Sequence, residues 1–101
     1  MKFLIITAVK DYEKDVLNLF KKAEISCFSD VDINGFKNTP LENRVDNWFS
    51  ASNSRVRSTL FFTFTDAEKI DGMLNIVEAF NNERERVNPI RAIVLDVLKS
   101  V

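Results

Sequence analysis

The predicted strands of this chain are apolar on both faces, although the sequence supplies only two helices to cover them. The segment 2–9 (KFLIITAV) and the runs at 60–62 (LFF) and 93–95 (IVL) show no regular alternation of apolar with polar residues. Strands with one solvated face normally show that alternation. Because two helices cover only one face of a small sheet, a monomer would leave the other face bare. The sequence therefore predicts an oligomer.

Periodicity and capping signals divide the chain into six elements separated by turn-forming segments. Thr65 to Glu68 form a capping box, which is typical of a helix start. Pro89 prevents the second helix from continuing. In order, the predicted elements are a strand at 2–9, a helix at 11–24, a strand at 25–36, a strand at 56–65, a helix from 66 to about 80, and a strand at 90–98.

This βαββαβ order predicts an α+β, ferredoxin-like sandwich in one domain, 1–101, with a four-stranded antiparallel sheet and both helices on one face. Right-handed crossovers place the first and third strands in the centre. The second strand is more polar on one side, which favours an edge position. We expect the face away from the helices to carry Leu4, Ile6, Phe61 and Val94. Burial of such groups would contribute roughly 1.5 to 3 kcal/mol each, so a bare face is unfavourable.

Charge and composition exclude several classes of function. The 14 basic and 15 acidic residues give a net charge of -1, so no general attraction to nucleic acid is expected. The first apolar run is too short to span a membrane and lacks the pattern of a secretory signal, which predicts a cytoplasmic protein without direct membrane insertion. The sequence has no histidine, the commonest general base. We therefore expect no catalytic residues and no enzymatic activity.

A long segment without a sustained period, 37–55, is predicted to be a loop. Structureless loops of this length are uncommon in compact domains and are usually functional or disordered. The segment contains Trp48 and Phe49, two large apolar side chains that suit an anchor for a partner protein. The alternative is that Trp48 packs on its own subunit or on a neighbouring one.

Basic residues gather where this loop meets the third strand. Arg55 and Arg57 share a face of that strand, and Lys37 and Arg44 precede them. Guanidinium groups bind phosphate or carboxylate in a forked geometry, so these residues predict an anion pocket. The alternative is a solvated strand end with ordinary surface ion pairs, which are common and energetically slight.

A metal site is not expected. Cys27 lies near Asp30 and Asp32, but strand alternation points the thiol away from both carboxylates. Two aspartates alone fall short of the six or more oxygens that calcium prefers. We interpret Cys27 as a small core residue.

The order of elements, the long loop between the second and third strands, and the sequence DINGFK at 32–37 resemble the PII-like signalling proteins. The closing RAIVLDV at 91–97 adds to this resemblance. The resemblance implies a homotrimer whose sheets pack inward, with small effectors such as adenine nucleotides bound in clefts between subunits. It also implies that the loop, called the T-loop in that family, engages a membrane transporter or an enzyme.

Carried over by position, the resemblance implies a ligand site on three strands. One departure is that Asn88-Pro89-Ile90 stands where the family has a glycine-rich phosphate loop, which argues against classical ATP binding because backbone amides hold a polyphosphate. The ligand that the resemblance implies is an adenine nucleotide or another small anion. Two alternatives stay open, a purely structural or interaction protein without a ligand and a metal-responsive accessory of a heavy-metal efflux system. The implied ligand-binding residues are Ser29, Gly35, Phe36, Lys37, Arg55, Arg57 and Arg91.

Overall fold

The computed structural model of the chain describes residues 1–38, 53–83 and 88–101. The predicted βαββαβ order is confirmed, with a 3-10 turn at Lys10–Tyr12 between the first strand and the first helix. The elements are β1 (Lys2–Val9), α1 (Glu13–Lys22), β2 (Ser29–Asn38), β3 (Asn53–Thr65), α2 (Ala67–Glu83) and β4 (Arg91–Asp96). Neither helix is long and apolar enough to cross a membrane within these described ranges.

The four strands form one antiparallel sheet in the order β2-β3-β1-β4. β1 and β3 are therefore central and β2 lies at an edge, as the crossover rule and the polarity of β2 predict. The central pair is in register from Lys2 opposite Thr65 to Val9 opposite Ser58. Because paired residues share a face, this register assigns every central side chain to one side of the sheet.

The hydrophobic core lies between the sheet and the two helices. Leu4, Ile6 and Phe61 of the sheet are fully buried there, together with Phe20 of α1 and Met73 of α2. Phe20 also stacks on Phe28 with ring centroids 4.1 Å apart. These contacts fix both helices against one face of the sheet.

The other face is apolar and uncovered, and its membership differs from the prediction. Leu4, Ile6, Phe61 and Val94 belong to the helix side, so their assignment to the open face was wrong. When both sides of a strand are apolar, periodicity shows that the faces alternate but not which face meets the helices. We call the uncovered surface the open apolar face, and it consists of Phe3, Ile5, Val31, Ile33, Leu60, Phe62, Phe64, Ile93 and Leu95.

The first helix ends two residues earlier than predicted, in a Schellman motif. The N–H of Ile25 donates to the carbonyl of Phe20, and the N–H of Glu24 donates to the carbonyl of Lys21. Glu24 has the positive φ of 59° that this motif requires. The motif places Ile25 in the core, and β2 begins only at residue 29 rather than 25. Cys27 therefore lies in a connecting segment and is exposed, which corrects its interpretation as a core residue.

The predicted loop 37–55 begins and ends within strands. The β2–β3 ladder continues through Gly35 opposite Val56 to Asn38 opposite Asn53, so 37–38 and 53–55 are strand residues, and 39–52 lie outside the described residues. The residues of this extension are polar and lack the apolar alternation that predicts a strand, so the sequence did not indicate it. Since β1 pairs with β3 only as far as Ser58, the ladder beyond it is a two-stranded ribbon, 34–38 with 53–57.

Candidate ligand-binding site

A cleft of about 460 Å³ lies where the ribbon leaves the sheet. The last residues of β1 form its floor, Gly35 and Val56 of the ribbon form one side, and the segment before β4 forms the other. Its volume falls within the roughly 300 to 1,000 Å³ typical of small-molecule sites. The described residues that line it are Thr7, Ala8, Val9, Ile33, Gly35, Phe36, Val56, Ser58, Asn88, Pro89 and Arg91.

Arg91 supplies the cleft with a positive charge. It is the first residue of β4 and lies opposite Thr7 in the ladder, which directs it to the open side of the sheet. Gly35 faces it across the cleft from the ribbon. A Cβ at Gly35 would meet the nearest atom, the carbonyl oxygen of Val56, at 3.5 Å, an ordinary van der Waals contact. The glycine is therefore not needed for backbone packing, and its effect is to leave room in the cleft.

The wall beside Arg91 is held by a side chain of α2. The amide of Asn81 donates to the carbonyl of Ile90 at 2.8 Å and accepts from the N–H of Ile90 at 2.9 Å. Ile90 is also buried, with 3% of its surface exposed. Together these contacts fix the position of Ile90, and therefore the direction in which Pro89 and Arg91 leave it.

A smaller cavity, which we call the cation pocket, lies on the helix side of the same strands. Its volume is about 180 Å³. Arg57 pairs with Asn34 in the ladder, and the pair two residues along is Asp32 with Thr59. Thr59 is buried on the side that faces the helices, so strand alternation places Arg57 on that side as well. The described residues that line it are Lys10, Asp32, Ile33, Asn34, Arg55, Arg57 and Ser58.

Charged and polar groups contact one another in the cation pocket. The Lys10 ammonium donates to Asp32 at 2.6 Å and lies 3.2 Å from the carboxylate of Glu13. The Nε of Arg55 donates to the side-chain oxygen of Asn34 at 3.0 Å. The hydrogen bond from Lys10, its charge and the charge of Arg57 lower the pKa of Asp32 below its usual 3.8. The hydrogen bonds to Asp32 and Glu13 raise the pKa of Lys10, so both groups are ionised at neutral pH.

The residues implied by the resemblance divide between these two cavities. Gly35, Phe36 and Arg91 line the cleft, whereas Arg55 and Arg57 line the cation pocket. Within one chain, the arginines of β3 and Arg91 therefore point to opposite sides of the sheet.

Ser29 lies away from both cavities. Ser29 pairs with Phe62, six residues along β2 from Gly35 and about 20 Å away at the usual rise per residue. It is not among the described residues that line either cavity. The backbone of Lys37 lies in the ribbon opposite Ser54. The predicted anchor residues Trp48 and Phe49 lie outside the described residues.

Sequence reasoning missed Lys10 and Asn34 in the cation pocket and Asn81 beside the cleft. Asp32 was considered only as a metal ligand. Across residues 1–38, 53–83 and 88–101, no three potential metal-ligating side chains of His, Cys, Asp or Glu come together. Asp32 and Asn34 are two residues apart on β2, and Arg55 and Arg57 are two residues apart on β3, so each pair lies on one face of its strand. The ladder register is needed to show that the two pairs share the same face of the sheet.

Searches of protein families and of curated proteins gave no match to this sequence. Solved structures do match its fold. The nitrogen regulatory PII-like protein CPII from Thiomonas intermedia K12, solved with ADP, AMP and bicarbonate bound, superimposes with a TM-score of 0.64 at 12% identity, covering 99% of this chain and 94% of its own. A protein described as a putative PII-like signalling protein, from Thermus thermophilus, gives a TM-score of 0.59 at 18% identity, covering 95% and 85%. The resemblance to PII-like proteins is therefore confirmed in the fold.

Proposed function

We propose that this chain is a non-enzymatic, PII-like regulatory protein that assembles through its open apolar face and senses a small anionic ligand in the cleft. The observation that carries the proposal is the combination of a PII-like fold with a cleft that contains Arg91 and Gly35 at the base of the ribbon. The bound ADP, AMP and bicarbonate of CPII support an adenine nucleotide or a small anion as the ligand class.

The open apolar face supports assembly. Phe64 is 58% exposed, and Ile93 and Leu95 are each 50% exposed, although all three are large apolar side chains within strands. Phe3 joins Phe62 and Phe64 in an aromatic cluster there, with centroid distances of 6.1 and 4.8 Å. A contiguous apolar surface of this kind normally marks an interface. We propose that a homotrimer covers it.

The ribbon connects the cleft to the segment that would signal. Gly35 and Phe36 line the cleft, and the same ladder continues to Asn38 and Asn53, the residues that flank 39–52. A ligand against Gly35 would therefore contact the ribbon that leads into that segment. We propose that Trp48 and Phe49 then bind a partner, with a transporter component as the leading candidate from the family resemblance.

Sedimentation velocity at micromolar concentration tests the assembly. Wild type should sediment as a trimer, and Ile93→Lys should dissociate it, because the ammonium would be buried at the interface. Leu17→Lys is the matched control, since Leu17 is 41% exposed on α1, away from the open face. A monomeric wild type would contradict the assembly.

Calorimetric titration with ADP, AMP and ATP tests the ligand. Arg91→Ala should weaken binding by about tenfold or more, since a hydrogen bond to a charged group contributes about 1.5 to 3 kcal/mol. Lys99→Ala removes an exposed cation outside both cavities and should leave the affinity unchanged. If no nucleotide binds, or if both variants bind like wild type, the cleft is not a nucleotide site and an interaction protein without this ligand is favoured.

A further inference from the structure

The cation pocket already contains an anion that belongs to the chain. Lys10, just after β1, is separated from β2 by the whole width of β3, yet its ammonium lies 2.6 Å from the Asp32 carboxylate. Asp32 thus neutralises part of the positive charge that Lys10, Arg55 and Arg57 contribute to the pocket. We propose that Asp32 is an internal competitor, and that a small external anion binds the cation pocket by displacing Asp32 from Lys10.

The Lys10–Asp32 pair is weak enough to be displaced. The Asp32 side chain is 78% exposed and that of Lys10 is 39% exposed, so neither charge has been removed from water. Exposed ion pairs of this kind contribute little, because solvent screens them and the side chains lose conformational freedom. The Asp32 carboxylate can therefore return to water without a large penalty, and an incoming anion can replace it on Lys10.

Arg55 and Arg57 supply two further positive charges to the anion that displaces Asp32. Arg55 donates its Nε to the neutral side-chain oxygen of Asn34, which orients the guanidinium without neutralising it. Arg57 lines the same cavity, and its charge already acts on Asp32 by lowering the pKa of that carboxyl. Asn34 and Arg57 are partners in the ladder, so the backbone fixes their spacing.

The size of the pocket defines the ligand class. At about 180 Å³ it is smaller than the roughly 300 Å³ at which drug-sized sites begin, so it suits an anion of a few heavy atoms. A phosphate or a small carboxylate matches the fork geometry of arginine. This site is separate from the nucleotide proposed for the cleft, so the inference goes beyond that function and does not depend on it.

The test is an NMR titration with inorganic phosphate at constant ionic strength, following the Arg Nε–H and Asn34 side-chain signals. Phosphate should shift the signals of Arg55, Arg57 and Asn34. Asp32→Asn should bind phosphate about two- to fivefold more tightly than wild type, the range expected from an exposed ion pair. Asp30→Asn is the matched control, because it removes the same charge two residues away on the same face of β2 and should tighten binding less.

A double-mutant cycle isolates the displacement step. In a Lys10→Gln background the Asp32 carboxylate has lost the ammonium to which it binds, so it no longer competes with phosphate there. Asp32→Asn should then tighten phosphate binding no more than Asp30→Asn does. Equal tightening by the two variants in the wild-type background would reduce the effect to net charge and overturn the proposal. It would also be overturned if phosphate left these signals unshifted in both wild type and Asp32→Asn.

These outcomes are distinct from those of the nucleotide titration. Tighter phosphate binding by Asp32→Asn would stand even if no nucleotide entered the cleft. Conversely, nucleotide binding that depends on Arg91 would stand even if the cation pocket bound no phosphate.

Discussion

Asn81 and Ile90 are joined by two hydrogen bonds that reproduce the pairing of neighbouring strands. The side-chain amide of Asn81 satisfies both the N–H and the carbonyl of Ile90, at 2.9 and 2.8 Å. One side chain therefore satisfies main-chain groups just before β4 that a neighbouring strand would otherwise satisfy. Because Arg91 follows directly, the contact also fixes where the cleft receives its positive charge.

Asn81→Ala should lower the free energy of unfolding by about 1 to 3 kcal/mol, since it leaves both main-chain groups of Ile90 without this partner in a partly buried position. Denaturant unfolding measures the change. Asn82→Ala is the control, because Asn82 follows at the next position of the helix and makes no such contact with Ile90, so its loss should change stability little. Equal losses in the two variants would show that the amide contact is not stabilising.

Glu24→Gly should raise the free energy of unfolding by about 1 kcal/mol. Glu24 holds a φ of 59°, a left-handed conformation that costs a residue with a Cβ roughly 1 to 2 kcal/mol. Glycine removes that cost but gives the unfolded chain more freedom, which offsets part of the gain. Glu24→Ala keeps the Cβ and should show no such increase. Thermal or denaturant unfolding of the pair separates backbone strain from loss of the charge.

Phe61→Ala and Phe64→Ala compare one side-chain type on the two faces of β3. Phe61 is fully buried under the helices, so its truncation should cost about 3 to 5 kcal/mol at any protein concentration. Phe64 is 58% exposed on the open apolar face, so its truncation should act mainly on assembly. Unfolding curves at several protein concentrations check this, because only the Phe64→Ala effect should change with dilution. A concentration-independent loss in Phe64→Ala would argue against an interface there.

Gly35→Ala should fold with nearly unchanged stability, because the added methyl meets neighbouring atoms at 3.5 Å or more and the backbone is not left-handed. The methyl would nevertheless narrow the cleft, so binding of any nucleotide there should weaken. Unfolding and calorimetry on the same preparation separate the two effects. Loss of binding together with a large loss of stability would instead assign Gly35 a structural role.

The Lys10–Asp32 pair should add an acid-dependent component to stability. The pKa of Asp32 in the folded protein is below 3.8, so the contribution of Asp32 is present above that value and is lost as pH falls through the folded pKa. The difference in unfolding free energy between wild type and Asp32→Asn should therefore shrink as the pH falls below 3.8. Denaturant unfolding at a series of pH values measures it. A difference that stays constant as the pH falls would show that the pair is not formed in solution.

The sequence predicted the order of elements and the position of every strand in the sheet. Crossover handedness placed β1 and β3 in the centre, and the capping box at 65–68 marked the start of α2 to within a residue. The prediction was wrong where the local sequence pattern fits two structures equally well. Phe3 and Leu4 are both apolar, so alternation alone did not show that Leu4 lies under the helices. The Schellman motif at Glu24 was also hidden, because no glycine marks it.

The candidate site was predicted in part. Strand alternation placed Arg55 and Arg57 on one face, and both line the cation pocket. Position along the chain suggested Gly35 and Arg91 as ligand-binding residues, and both line the cleft. That these two pairs lie on opposite sides of the sheet required the register of β2 with β3 and of β1 with β4. Lys10 reaches Asp32 across an intervening strand, a contact between residues 22 apart that no local pattern marks.

Ile33 and Ser58 line both the cleft and the cation pocket, so a single layer of two paired strands separates the cavities. An occupant that shifts this shared wall changes the shape of the opposite cavity as well. Thermodynamic reciprocity then requires that each ligand alter the affinity of the other by the same factor. Titrating each ligand in the absence and in the presence of the other would give the size and sign of this coupling between the two faces of one sheet.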